Sequence, residues 1–204
     1  MFKKIKFINI MIFFLGIFVM GLGSAIIYEA GLGTNSIGTF VDGVHYIIGV
    51  SRGIANTIVC IAFMIPAYFF AREFFGIGTF ISMFAIGLFI DLWKLILNLF
   101  LINSVPAIVL FFIGIIINSI GAGLYIAANV GISAYDAFVM IIFKVTNLQY
   151  KYAKVLTDFL MILLGFIMSG VVGIGTIISA FLSGFLVQYA IRIISKYLKK
   201  KSPV

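Results

Sequence analysis

Charge is what this chain has least of. Only 10% of its 204 residues are charged, 14 basic and 6 acidic, against 64% apolar. A water-soluble fold of that composition has no means of covering its surface with polar groups, so the expected solvent is lipid. Cysteine is nearly absent too: Cys60 stands alone in an apolar run, which excludes an intramolecular disulfide and gives it a buried hydrophobic role. One histidine, His45, beside that one cysteine leaves a zinc site short of ligands. A glycine-rich phosphate-binding loop is also missing, which argues against a nucleotide-driven pump within this chain. Protease chemistry fares no better. Ser36 and His45 lie nine residues apart on one short element, a poor geometry for a nucleophile and its base. Tyr135-Asp136 matches half of an intramembrane aspartyl protease signature, but the Gly-x-Gly-Asp half is missing, the comparable turns ending in Thr79 and Thr176. The expectation is a protein that is not an enzyme, with no cofactor and no metal.

The basic excess is concentrated. Eight of the 14 cations, Lys3, Lys4, Lys6, Arg192, Lys196, Lys199, Lys200 and Lys201, sit in the two terminal tails. Basic tails flanking apolar runs read as cytoplasmic anchors near anionic headgroups, not as a nucleic-acid surface. Both termini are therefore expected in the cytoplasm. Lys3 to Phe7 followed by apolar sequence imitates a signal peptide, yet the run continues for about 20 residues to Ile27 without a clear cleavage site and reads as a first span.

Six stretches have the length and apolarity to cross a bilayer: Phe7 to Ile27, Ala55 to Ala71, Thr79 to Leu99, Pro106 to Ala127, Tyr152 to Val172 and Thr176 to Ile194. Two shorter helical segments, Thr34 to Val50 and Ser133 to Asn147, carry Asp42, His45, Asp136 and Lys144 and read as half-helices or re-entrant elements. The fold class is thus an all-α membrane protein, one integral domain over residues 1–204.

The chain also repeats itself. Gly21-Leu-Gly23, Gly31-Leu-Gly33, Gly76-Ile-Gly78-Thr79 and Gly87 to Asp91 return as Gly121-Ala-Gly123, Gly131-Ile-Ser133, Gly173-Ile-Gly175-Thr176 and Gly184 to Gln188, 97 to 100 residues later. Internal repeats at about 7–99 and 106–195 are the plan of many small-molecule transporters. Three spans per half force the second half to enter from the opposite face, giving inverted repeats. If the short segments also cross, the alternative is eight spans in two parallel halves, and the charge rule accepts either. The Gly-Ile-Gly-Thr motifs read as helix–helix turns, glycine closing one helix in a left-handed conformation and threonine capping the next. Small residues along the first and fourth spans, among them Gly16, Gly23, Gly114 and Gly121, predict close packing of those two helices.

A glycine-rich first span, a Gly-x-Gly turn, a short polar-headed helix and a Gly-Ile-Gly-Thr turn leading into Gly87-Leu-Phe-Ile-Asp91 resemble the YczE/YyaS/YitT family of bacterial membrane proteins, over about residues 10 to 195. The resemblance implies a multi-pass protein of the bacterial cytoplasmic (inner) membrane. It carries no catalytic signature.

Ionisable and polar groups inside such a chain are the functional candidates. Thr34, Asn35 and Ser36 head one short helix; Ser133 and Asp136 make a capping-box-like start to the other. Two broken-helix N-termini with free amides and positive dipole ends are suited to a substrate carboxylate, while Asp42, Asp91 and Asp136 suit an amine, a proton or a sodium ion. The candidate substrate-binding set is Asn35, Ser36, Asp42, Asp91, Ser133, Asp136 and Gln188. Asp91 with Lys94, and Lys154 with Asp158, have the spacing of structural ion pairs, and Asn118 that of a helix–helix hydrogen bond. The leading functional reading is a secondary transporter of a small polar metabolite working by alternating access, in contact with lipid, a substrate and a coupling ion. The alternatives are a non-transporting accessory or scaffold protein, and a membrane subunit energised by a separate ATPase.

Overall fold

The computed structural model describes residues 7–70, 76–99, 105–148 and 150–198, the side chains of Tyr150 and Lys151 excepted. Lys3, Lys4, Lys6, Arg72 and Lys199 to Lys201 lie outside the described residues. Eight helices follow one another among those residues, with no strand: α1 (Phe7–Ala30), α2 (Ser36–Ile48), α3 (Arg52–Phe70), α4 (Ile77–Leu99), α5 (Ala107–Ala128), α6 (Ala134–Thr146), α7 (Tyr150–Ile167) and α8 (Ile174–Tyr197). The protein is an all-α membrane protein. Five helices, α1, α3, α4, α5 and α8, are long and apolar enough to cross a membrane by length and composition. Large apolar side chains such as Phe69, Leu88 and Phe185 stand exposed on their outer faces, where lipid is their natural solvent.

The short helices are cut to length by their ends. Asn35 caps α2, its side chain accepting from the amide of Gly38 at 2.8 Å, and Gly49 stops it in a left-handed conformation at φ 75°. Ser133 caps α6, and Asn147 ends it at φ 53°. Each is 13 residues long, about 20 Å at 1.5 Å per residue, too short to cross a hydrocarbon core of about 30 Å. α7 stops at Ile167, five residues before the end expected from hydropathy. Ser169 turns left-handed at φ 63°, and the amide of Gly170 closes the helix on the carbonyl of Gly165 at 2.7 Å.

One layer consists of α1, α4, α5 and α8, held by a core that includes Phe13, Ile17, Ile90, Tyr125 and Ile191. In a second layer α2 packs on α7 and α3 on α6, with α3–α4 and α7–α8 joining the layers. α1 and α5 cross antiparallel: Gly16 meets the backbone of Tyr125 and Gly121, while Gly114 meets Ile27 and Gly23. A Cβ on Gly23 would fall 2.6 Å from Asn118 Cα, so only glycine permits this approach. Asn118 secures the crossing by donating to Met20 O at 3.1 Å and Ser24 Oγ at 2.8 Å.

The Gly-Ile-Gly-Thr motifs do something other than the expected left-handed turn. Gly173 is extended, at φ −142° and ψ −177°, and Gly76 is absent from the left-handed glycines. Their smallness serves docking. Gly175 N donates to Leu32 O at 2.8 Å and Gly78 N to Val130 O at 3.3 Å, so each motif seats the turn that precedes the opposite short helix. The threonines do cap, accepting from the amides of Gly76 and Gly173 at 3.2 Å. Positive φ falls instead on Gly31 and Gly33, where the chain turns back from α1 toward the interior, on Gly49 and on Gly131.

Candidate functional site

After α1 and after α5 the chain folds back, and the N-termini of α2 and α6 meet near the α1–α5 crossing. Between them lies a cavity of about 80 Å³ to which all eight helices contribute. Asn35 and Ser36 enter from α2, Ser133, Tyr135 and Asp136 from α6, Asn56 and Cys60 from α3, Asn118 from α5, Lys154 from α7 and Ser183 from α8. Met20, Ile86, Ala122 and Val187 form the apolar wall. An adjoining space of about 40 Å³ shares Asn35, Ile37 and Asn56, and leads past Ser24 and Tyr28. With water occupying about 30 Å³, the two together hold a few waters, an ion or a ligand of a few heavy atoms.

At the α6 end, Ser133 Oγ donates to Asp136 Oδ2 at 2.7 Å and accepts from the Asp136 amide at 3.1 Å. Ser133 therefore caps α6 as expected, but the Asp136 carboxylate returns to the Ser133 hydroxyl rather than to its backbone amide, and it lies half-buried at the cavity wall. Deeper in, α7 delivers an ion pair. Asp158, with no solvent exposure, holds Lys154 Nζ at 3.2 and 3.3 Å from its two oxygens. Ser36 donates to Asp158 Oδ1 at 2.5 Å, Tyr135 donates to the same oxygen, and Lys154 donates to Tyr135 Oη at 3.4 Å. One carboxylate thus ties the head of α2, the head of α6 and the middle of α7 together. Buried charges persist only when paired and fully hydrogen-bonded, which this network achieves.

A second polar cluster lies beyond the adjoining space. Asp42 Oδ1 pairs with Arg52 Nε at 2.6 Å, and the Arg52 guanidinium lies 4.9 Å from the centre of the Tyr28 ring. They line a cavity of about 120 Å³ with Gly33, Thr34 and Val171. Asp42 Oδ2 is buried there without a hydrogen-bond partner among the described residues.

Of the seven residues picked from the sequence, Asn35, Ser36, Ser133 and Asp136 come together at the central cavity. Asp42 belongs to the outer cluster. Asp91 caps α3 from α4, accepting from Ser51 Oγ at 2.9 Å and from the Gly53 amide at 3.2 Å. Gln188 is half-buried on α8, next to the cavity-lining Val187. His45 bonds the Val50 carbonyl at the turn between α2 and α3. In the sequence Lys154 and Asp158 show only the spacing of a structural ion pair, and nothing there marks Tyr135, Asn56 or Cys60 as part of the site. The available signal was the pair itself: two opposite charges at i, i+4 inside an apolar run.

The chain is 24% identical over 190 residues to the "Uncharacterized protein YyaS" of Bacillus subtilis, covering 92% of this chain and 94% of that one. It is 24% identical over 180 residues to the "Uncharacterized membrane protein YczE" of the same organism, covering 88% and 83%. An "Uncharacterized protein" of Haemophilus influenzae is 27% identical over 197 residues, covering 94% and 86%. No solved structure gives a significant match. The resemblance to YczE and YyaS read from the glycine pattern holds, at low identity. Residues 7–192 match the model described as "Family of unknown function (DUF6198)", and the chain belongs to that family.

Proposed function

We propose that the protein is a secondary transporter of a small polar metabolite, which it moves unchanged by alternating access. The observation that carries this reading is the central cavity where the heads of two half-helices meet. A scaffold has no use for a polar chamber at that depth. A carrier needs one, and irregular backbone inside a membrane is tolerated only where protein or a water-filled cavity surrounds it.

Two inverted repeats of three spans each fit the helix arrangement best. α1 and α5 cross antiparallel, which parallel halves would forbid for equivalent helices. Partnerships come in matching sets: α1–α4 with α5–α8, α2–α7 with α3–α6, and α2–α3 with α6–α7. The contacts favour a spacing of 98 residues where the glycine pattern alone suggested 100: Gly23 meets Asn118 as Gly121 meets Met20, and the caps are Asn35 and Ser133. On that register the halves differ most at α3 and α7, where Asn56 and Cys60 stand opposite Lys154 and Asp158. α7 then counts as the sixth span despite its buried ion pair. Under the positive-inside rule both termini are cytoplasmic, in the inner membrane of a bacterium, with Arg52 and Lys94 on the outer side.

Cys60 gives a direct test, because it is the chain's one cysteine and lines the cavity. Purified protein is screened for thermal stabilisation by amino acids, organic acids and vitamins, since a ligand that binds the folded state raises apparent stability by mass action. A hit is expected to slow labelling of Cys60 by a small maleimide and to accumulate in proteoliposomes. Absence of both stabilisation and uptake across the panel would replace this reading with an accessory role.

A further inference from the structure

Three ionisable side chains stand at or behind the central cavity: Lys154 and Asp136 in its wall, and Asp158 directly behind Lys154. With all three ionised their sum is −1. The two helix N-termini aimed at the same point supply roughly +0.5 each, so the site is balanced as it stands. An anion entering alone would leave a buried charge uncompensated, the costliest condition in a low-dielectric interior. An anion entering with a proton would not.

The geometry identifies where that proton goes. Asp158 is the carboxylate that holds the one cation in the cavity wall among the described residues. Facing it are Lys154 from its own helix, Tyr135 and Asp136 from α6, and Ser36 from α2, while α8 offers the uncharged Ser183 and Gly184. Two of its three donors are hydroxyls, which can turn when the acceptor gains a hydrogen.

We infer that the cavity binds a small carboxylate anion together with one proton: the proton adds to Asp158, and Lys154, released from that pair, takes the carboxylate. The inference rests on the transport reading above and names its substrate class and coupling ion. The Asn35 and Ser133 ends would receive the rest of the ligand, with Asn56 and Asn118 as amide partners at the wall. Cavity volume limits the ligand to a few heavy atoms.

The test uses the full chain in detergent with acetate, lactate, pyruvate and glycine as probes, each titrated by thermal stabilisation from pH 5 to pH 8. One linked proton makes apparent affinity fall about tenfold for each unit that pH rises. Asp158→Asn is expected to abolish that slope, and Asp136→Asn to keep it. A carboxylate that binds with affinity independent of pH would overturn the inference. So would a slope lost in Asp136→Asn and kept in Asp158→Asn. Should Asp158→Asn fail to fold, the paired change Lys154→Met with Asp158→Leu serves, with carboxylate binding expected to vanish at every pH and its retention counting against the proposal. If only neutral or cationic solutes bind and accumulate, proton–carboxylate binding is refuted while transport stands. If no solute protects Cys60 or accumulates, both fail.

Discussion

Glycine at the α1–α5 crossing sets the separation of the two central helices, and a pair of alanine substitutions measures how tightly. In Gly23→Ala the new Cβ would meet Asn118 Cα at 2.6 Å and Asn118 Cβ at 2.7 Å. Carbon atoms rest about 3.5 to 4.0 Å apart, so the helices must separate by about 1 Å locally. Backbone cannot swing aside as a side chain does. A gap of that size forfeits about a quarter to a half of each dispersion contact along the seam, and overpacking of this kind costs about 1–3 kcal/mol. The Asn118 hydrogen bonds to Met20 O and Ser24 Oγ, at 3.1 and 2.8 Å, stretch with it. We expect about 3 kcal/mol of destabilisation. Gly184→Ala is the control: on α8, its Cβ would meet nothing closer than Lys154 Cδ at 3.9 Å, ordinary contact. It should be neutral, or stabilising by up to about 1 kcal/mol through helix propensity. Reversible unfolding in mixed micelles reads both. If Gly23→Ala lies within about 0.5 kcal/mol of the parent, or the two variants behave alike, the close-approach argument is wrong.

Three further outcomes follow from the polar network. Lys154→Met leaves Asp158 buried and unpaired, and should cost about 3–5 kcal/mol, whereas adding Asp158→Leu should recover a large part; additivity in the double-mutant cycle would refute the pairing. Asp91→Ala removes a cap from α3 and should lower stability by about 1 kcal/mol while leaving any ligand-induced shift in Tm intact, because Asp91 serves α3 away from the central cavity. Asp42→Ala strands Arg52, whose side chain is 21% exposed, so the loss should be about 2 kcal/mol rather than the full buried-pair figure; an unchanged midpoint in the same unfolding assay would show that the pair contributes nothing.

Helix existence was legible because hydropathy and capping are local. The two short helices could be delimited from Asn35, Gly49, Ser133 and Asn147 to within two residues, since a cap acts within one turn of the residue that provides it. The overlong expectation for α7 has a local cause as well. Its apolar run continues through Met168, but Ser169 and Gly170 close the helix, and a hydropathy window does not register a left-handed serine. Half of the candidate site was legible for the same reason: Asn35, Ser36, Ser133 and Asp136 announce helix starts, and helix starts are where unpaired amides collect. Asp91 announced itself equally loudly and proved to be a cap for a neighbouring helix, because a carboxylate's partner across 40 residues of sequence leaves no mark on its own segment.

What the sequence determined alone was the solvent, the helices, the ends of the two short ones and the glycines on which close packing depends, all consequences of composition or of interactions within a few residues. Only the tertiary structure decided which polar heads converge, that the Gly-Ile-Gly-Thr motifs dock the opposite turn, and that Lys154 enters the cavity wall with Asp158 behind it. Those outcomes depend on contacts between segments about a hundred residues apart. Their energies arise from burial and desolvation, which exist only once the helices have assembled.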